Sequence, residues 1–255
     1  MKILLINPPH ENTIATNVPK AIEEGVGFIP PLGLMYIAGY LKKYTNHEIE
    51  LLDCNTEKID YGKLKEEIRV RKPNIIGITA MTFTLIDVIK TLRVAKETNN
   101  NIKTVLGGPH PTIYPNETAS LKEVDFCVIG EGEKPIKELL ENINDYKKLK
   151  DIKGLAFKLN GEIINNGQSE FIVNLDDIPS PSRQLTNYKK YFSSVSPNFP
   201  ITTMFTSRGC PYKCLFCDRP QLGKTFRSRT AKNVVSEMEE CEKMGIKEIF
   251  IYDDT

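Results

Sequence analysis

Cys210, Cys214 and Cys217 fall within eight residues, in the run Ser207-Arg208-Gly209-Cys210-Pro211-Tyr212-Lys213-Cys214-Leu215-Phe216-Cys217-Asp218. Three thiolates at Cys-x-x-x-Cys-x-x-Cys spacing on one short loop can converge on one soft metal centre. A structural zinc site wants a fourth ligand. Cys241 lies too far along the chain to close the loop, and it shares a helical face with Val234 and Met238, which places it in a core. Three thiolates suit an iron–sulfur cluster that leaves one iron open, although ferredoxin spacings differ. A zinc knuckle is the competing reading. Cys54 and Cys127 also stand singly, as buried thiols acting as small hydrophobes do. Six cysteines so distributed do not describe a disulfide scaffold.

A second group of residues able to serve chemistry lies in loops that follow short apolar runs. These are Asn7–Pro30, Asp53–Asn55, Thr79–Thr84, Gly107–Thr112 and Gly130–Glu133. Paired glycines at 107 and 108, and again at 130 and 132, let a bulky planar group approach the backbone. Tight strand-to-helix turns explain the same glycines equally well. The dinucleotide fingerprint and the phosphate-binding loop are both absent after the first strand.

The elements that must carry these loops read as strands at Ile3 to Ile6, Glu48 to Leu52, Ile75 to Thr79, around Val105-Leu106, and at Val124 to Ile129. Helices are expected after Pro31, over about 62–71, from about Leu85, over 116–122, and after Glu133. Short continuous apolar strands alternating with helices predict an α/β domain with a doubly wound, flavodoxin-like parallel sheet over 1–145. Its loops gather at the carboxyl edge of the sheet. Asn160-Gly161 predicts a two-residue turn in a β-hairpin appendage over 146–174. Residues 175–199, with Ile178-Pro179-Ser180-Pro181-Ser182, have linker composition. From 200 on, a strand (Ile201 to Thr206), the cysteine loop, a helix over about 231–244 and a strand over about 247–252 form one βαβ unit.

The 255 residues carry 34 Lys plus Arg against 33 Asp plus Glu, a formal net charge of +1. No global field recruits nucleic acid or acidic membrane. No apolar run reaches the length of a membrane span or a secretory core, so a cytoplasmic protein is expected. Arg208, Lys213, Arg219, Lys224, Arg227 and Arg229 crowd the cysteine loop. They can balance thiolates, a carboxylate or an acidic substrate.

The cysteine loop after a strand resembles the signature of the radical SAM superfamily. The N-terminal half resembles the cobalamin-binding domain of one branch of that superfamily, through Asn7-Pro8-Pro9, Pro30-Pro31-Leu32-Gly33-Leu34, Gly107-Gly108-Pro109-His110-Pro111-Thr112 and Gly130-Glu131-Gly132-Glu133. The resemblance implies a [4Fe–4S] cluster on Cys210, Cys214 and Cys217, with S-adenosylmethionine (SAM) on the fourth iron and Phe216 beside its adenine. It implies a partial TIM-like barrel opening at 200–255. It also implies a corrinoid held by the loops that contain Asn7, Pro8, Thr79, Met81, Gly107, Gly108, His110, Gly130, Glu131 and Gly132. Asp253 and Asp254 stand where many superfamily members have Gly-Gly-Glu, and would assist SAM or substrate binding; a strand-end acidic pair in solvent is the alternative.

The Asp-x-His-x-x-Gly motif of His-on corrinoid domains is absent, and only His10, His47 and His110 occur. His47 reads as a bystander. His110 reads as packing or hydrogen bonding near the corrin and not as an axial ligand. The resemblance leaves three functions open: a cobalamin-dependent methyltransferase, a radical SAM cyclase or rearrangement enzyme with an unused corrinoid domain, and a non-catalytic iron–sulfur or cofactor-binding module. Its substrate class stays open among small molecules, peptides, lipids and tRNA. A reducing partner such as ferredoxin or flavodoxin is implied. Only 38 residues follow Cys217, which a full barrel of about 250 residues far exceeds. The chain is therefore expected to be a fragment of a longer enzyme, with the isolated piece doubtful as a catalyst.

Overall fold

The computed structural model describes residues 1–14, 27–217 and 223–255. Part of the expected loop Asn7–Pro30, together with Asp218 and Arg219, lies outside the described residues.

The strands in chain order are β1 (Lys2–Asn7), β2 (Gly27–Phe28), β3 (Glu48–Asp53), β4 (Ile75–Thr79), β5 (Lys103–Gly107), β6 (Phe126–Val128), β7 (Leu155–Leu159), β8 (Glu162–Asn165), β9 (Phe192–Ser193), β10 (Ile201–Met204), β11 (Ser207–Arg208), β12 (Arg227–Ser228) and β13 (Glu248–Ile251). The helices are α1 (Leu32–Tyr44), α2 (Tyr61–Arg71), α3 (Leu85–Thr98), α4 (Pro109–Ile113), α5 (Pro115–Ser120), α6 (Glu133–Asn142), α7 (Tyr146–Leu149) and α8 (Ala231–Lys243).

The main sheet runs β3-β1-β4-β5-β6-β7-β8. Its first five strands are parallel, and β7 runs antiparallel to both of its neighbours, β6 and β8. The chain steps outward from β1 to β3, then returns past β1 to β4. The sheet therefore reverses direction of growth between β1 and β4, the crevice where open α/β sheets receive ligands. Apolar side chains fill both faces: Ile3, Leu5 and Val105 pack under α1 and α6, whereas Leu4, Ile6, Ile76 and Leu106 pack against α2 and α3. This two-sided burial is why the strands read as continuous apolar runs.

Local chemistry explains the helix starts. The Asp60 carboxylate accepts the Lys63 amide at the start of α2, and the Thr230 hydroxyl accepts the Asn233 amide at the start of α8; both are ordinary N-cap bonds. The hairpin turn is as expected, with Asn160 and Gly161 both left-handed at φ 53° and 87°. Helix α4 was read as loop from the sequence. Pro109 occupies its first turn, where the missing N–H costs nothing.

Residues 175–199 differ from the expected linker. Isolated anchors pack them against the rest of the chain, although Val195 and Phe199 are exposed. Leu175, Ile178, Arg183 and Tyr191 are buried. The Ser182 amide donates to the Met35 carbonyl of α1. The Tyr191 hydroxyl donates to Asp53 at the end of β3, at 2.9 Å. Arg183 reaches forward to donate to the Thr202 hydroxyl, the Thr203 carbonyl and Glu237 of α8. Three short 3-10 turns and the two-residue pairing of β9 with β2 complete the segment. It binds the sheet domain to the βαβ unit of β10, α8 and β13, in which β10 and β13 are parallel.

Candidate functional site

The carboxyl ends of the parallel strands form one edge, and their loops are hydrogen-bonded to each other in series. The Ala80 amide donates to the Gly107 carbonyl, and the His110 amide to the Ala80 carbonyl. The Thr112 hydroxyl accepts the Gly130 amide at 3.0 Å. At the β1 end, the Asn7 side-chain amide donates to Asp53 at 2.8 Å, and Pro8 is buried with its carbonyl accepting from Asn55. A further strap crosses the crevice. Asp87, buried in the first turn of α3, accepts from the backbone and side chain of Asn12 and from the Thr13 and Tyr61 hydroxyls.

The glycines divide into two kinds. Gly108 is left-handed at φ +99°, and a Cβ there would lie 2.5 Å from the Thr79 hydroxyl and 3.0 Å from the Ala80 carbonyl oxygen. Its freedom is used by the turn itself. Gly130, at φ +81°, is likewise closed in by Gln168 and Ser169. At Gly107 a Cβ would meet only Val128, at 3.9 Å, so close approach by a ligand is open there. Gly108→Ala is expected to lower unfolding stability by about 1–3 kcal/mol, the usual cost of a side chain held in a sparsely populated backbone region. Urea unfolding checks this against Gly107→Ala, which should be near neutral.

His110 is buried. Its Nδ1 lies 3.1 Å from the Thr82 hydroxyl, its ring tilts against Tyr114, and burial lowers its pKa. Its Nε2 is enclosed with no hydrogen-bond partner among the described residues. An orphaned buried nitrogen is costly unless a ligand group or water satisfies it. Met81, Phe83, Ile113 and Tyr114 are exposed around it, an apolar rim of the kind a large planar ligand covers.

The cysteine loop is rooted beside this edge. Its two ends pair as β11 and β12, with Arg208 directly opposite Arg227. Both arginines point into the Gly130–Glu133 loop. Glu131 lies 2.8 Å from Arg227 and 3.3 Å from Arg208, and Glu133 lies 2.6 Å from Arg208. All four side chains are at most 7% exposed. Burial pushes the Glu131 carboxyl up, but Arg227, Arg208 and the Ile172 amide outweigh it and hold it below the usual carboxylate range. The structure thus places Glu131 between the two halves of the chain, where sequence reasoning had it at the corrinoid. At Gly132, next to it, an added Cβ would lie 3.0 Å from the tip of the Ile37 side chain, which would have to shift slightly.

Asp253 and Asp254 follow β13 and brace the same loop. Asp253 accepts from the Thr206 amide and hydroxyl and from the Ser207 amide, and Asp254 accepts from the Gly209 amide at 2.9 Å. Neither is a free acidic pair in solvent. They fix the backbone that leads into Cys210.

Beyond that point the side chains are open. Cys210 is half-buried, and Cys214, Cys217 and Phe216 are exposed. All three thiols are free of disulfides, and the Cys217 amide turns back on the Cys214 carbonyl. Among the described residues no three Cys, His, Asp or Glu side chains already surround a single point. The donor set nevertheless fits a thiophilic cluster, being three thiols on one loop whose ends pair as β11 and β12. The Thr203 and Ser207 hydroxyls are buried at the base without hydrogen-bond partners among the described residues. The other cysteines are of a different kind, since burial raises the Cys127 thiol to about 12 and raises Cys54 and Cys241 as well. Alkylation of the native, cluster-free protein is therefore expected at Cys214 and Cys217 first, with Cys54, Cys127 and Cys241 reacting only after denaturation. Peptide mass mapping reads the order.

Comparison with known proteins agrees with this geometry. The B12 binding domain model matches residues 21–140, and the radical SAM superfamily model matches residues 204–255. The chain belongs to the cobalamin-binding-domain branch of the radical SAM superfamily. An uncharacterized methyltransferase of Pyrococcus horikoshii is 36% identical over 260 residues, covering 100% of this chain and 54% of that protein. An anaerobic magnesium-protoporphyrin IX monomethyl ester cyclase of Rubrivivax gelatinosus is 30% identical over 259 residues, covering 100% of this chain and 45% of that protein. The chain spans about half the length of these relatives.

Two solved structures share the fold of this branch. The cobalamin-dependent SAM radical enzyme OxsB, with aqua-cobalamin and SAM bound, superposes with a TM-score of 0.77 at 18% identity, covering 99% of this chain and 34% of that one. The radical SAM methyltransferase TsrM of Kitasatospora setae, with cobalamin and a [4Fe–4S] cluster bound, gives 0.71 at 20% identity, covering 99% and 47%. Among the described residues no helix is long and apolar enough to cross a membrane.

Proposed function

We propose that this chain is the two-cofactor part of a cobalamin-dependent radical SAM methyltransferase. One observation carries the reading. The roots of the cysteine loop are ion-paired to the loop at the carboxyl end of β6, so the candidate cluster site and the candidate corrinoid site share one edge of the sheet. The B12-binding and radical SAM matches, and relatives that are methyltransferases, support it.

In this reading Cys210, Cys214 and Cys217 hold a [4Fe–4S] cluster and Phe216 packs beside SAM. Asp253 and Asp254 keep the start of the loop in place through the backbone. Gly107 lets a corrinoid lie against the sheet edge, Met81 and the apolar rim cover it, and His110 Nε2 donates or accepts at a polar substituent. When bound, the cluster supplies the electron that cleaves SAM, and the corrinoid supplies a transferable methyl group. The protein's own contribution is to exclude water from the edge and to hold both groups in register.

Cyclase relatives favour a second reading, a radical SAM cyclisation with no methyl transfer. Products of SAM separate the two. Anaerobically reconstituted protein supplied with reductant and hydroxocobalamin should yield both 5′-deoxyadenosine and S-adenosylhomocysteine under the methyltransferase reading. 5′-Deoxyadenosine alone would support the cyclase reading, and neither product would leave a binding module. The substrate, and a ferredoxin- or flavodoxin-like electron donor, belong to the same proposal.

A further inference from the structure

Arg208 and Arg227 face each other across the pairing of β11 with β12. Like charges directly opposite on an antiparallel pair oppose that pairing, and here both are buried, which adds the cost of desolvation. The residues that relieve it come from another part of the chain. Glu131 spans both guanidiniums, taking two bonds from Arg227 at 2.8 and 3.1 Å and lying 3.3 Å from Arg208; Glu133 closes on Arg208 at 2.6 Å. Two anions thus match two cations. Arg227 also donates to the Ile172 carbonyl and lies 4.7 Å from the Phe171 ring centroid; Arg208 lies 5.5 Å from that of Tyr36. The roots of the cysteine loop are therefore stable as a pair only when the Gly130–Glu133 loop is in place.

That loop is itself held by the candidate corrinoid edge. Its Gly130 amide donates to Thr112, two residues from His110, and the His110 amide donates to Ala80 beside Gly107. A continuous chain of bonds runs from the sheet edge through Gly130 and Glu131 to the strand that ends two residues before Cys210.

We propose that the Glu131/Glu133–Arg208/Arg227 network couples the two cofactor sites, so that a corrinoid bound at the sheet edge stabilises the cluster loop and the cluster in turn stabilises the corrinoid. This rests on the two-cofactor reading above. Coupling between sites is reciprocal by thermodynamic necessity, and the physical element that transmits it is the ion-paired loop. Glu131 and Glu133 are positioning residues here, since they touch the arginines and not the reacting groups.

The test measures iron release to a chelator from the reconstituted chain, with and without saturating hydroxocobalamin, while the corrinoid spectrum reports binding. In the native chain the corrinoid is expected to slow iron release about fivefold or more, the lower end of ordinary site-to-site coupling. In Glu131→Met/Arg227→Met, which removes the Glu131 part of the tie without leaving a buried unpaired charge and keeps only the Arg208–Glu133 pair, the slowing of iron release by corrinoid should be clearly diminished. If that variant holds no cluster, Glu133→Gln is read in the same way. Equal rates in the native chain with both cofactors bound would overturn the coupling alone, and so would an undiminished ratio in the variants. Loss of corrinoid binding in the cluster-free variant would make Glu131 a cofactor contact and overturn it too. A native chain that binds no corrinoid would sink this proposal together with the function it rests on.

Discussion

Replacing Cys214 with alanine is expected to abolish the cluster. Iron after anaerobic reconstitution should fall from about four per chain to near background, and SAM cleavage should fall with it. The reason is the number of ligands. Cys210, Cys214 and Cys217 are the three thiols of the loop, and a cluster that leaves one iron open needs all three. Cys214 is exposed and lies far from either root of the loop, so its removal leaves the fold alone. Cys241→Ala is the control. That thiol is buried on α8, so its loss should cost stability through a small cavity and leave iron content unchanged. Retention of a full complement of iron by Cys214→Ala would contradict the assignment of the loop.

The largest expected loss of stability lies at Glu237. Its carboxylate is fully buried on α8 between Arg183, at 2.5 Å, and Arg229, at 2.6 Å. Glu237→Gln leaves two buried guanidiniums without their anion. Removing one partner of a buried pair costs about 3–5 kcal/mol, against a total stability of about 5–15 kcal/mol for an ordinary domain. The βαβ unit of β10, α8 and β13 should therefore loosen first, seen as a lower urea midpoint and as lost hydrogen-exchange protection in α8. Glu239→Gln, on the exposed side of the same helix, should change little. A shift below about 1 kcal/mol at Glu237, the size of an exposed pair, would mean that water reaches the network.

These two residues also show what was legible beforehand. The cysteine loop was plain because its chemistry is local. Three ligands within eight residues need no knowledge of the fold. The parallel sheet was legible too, since two-sided burial writes itself as short apolar runs such as Ile3–Ile6 and Ile75–Ile78. The packed segment 175–199 was not. It has no helical or strand period, and single residues hold it: Arg183 to Glu237, 54 positions away, and Tyr191 to Asp53, 138 positions away. No window of sequence contains both ends of such a contact. The ion pairing of Glu131 was not legible for the same reason. Its partner Arg227 is 96 residues on, and an acidic residue between two loop glycines looks like a ligand contact until that arginine is seen. Asp253 was identified as a candidate, but its bonds to Thr206 and Ser207 show that it acts first on the loop's backbone.

In the proposed function, one edge of this sheet and the loop rooted beside it form a single two-cofactor site. Metal analysis tests it most directly. The chain is reconstituted anaerobically with iron, sulfide and hydroxocobalamin, desalted, and assayed for iron and cobalt together. The two-cofactor reading predicts about four irons and one cobalt per chain, both retained. Iron without cobalt, after the same treatment, would contradict it.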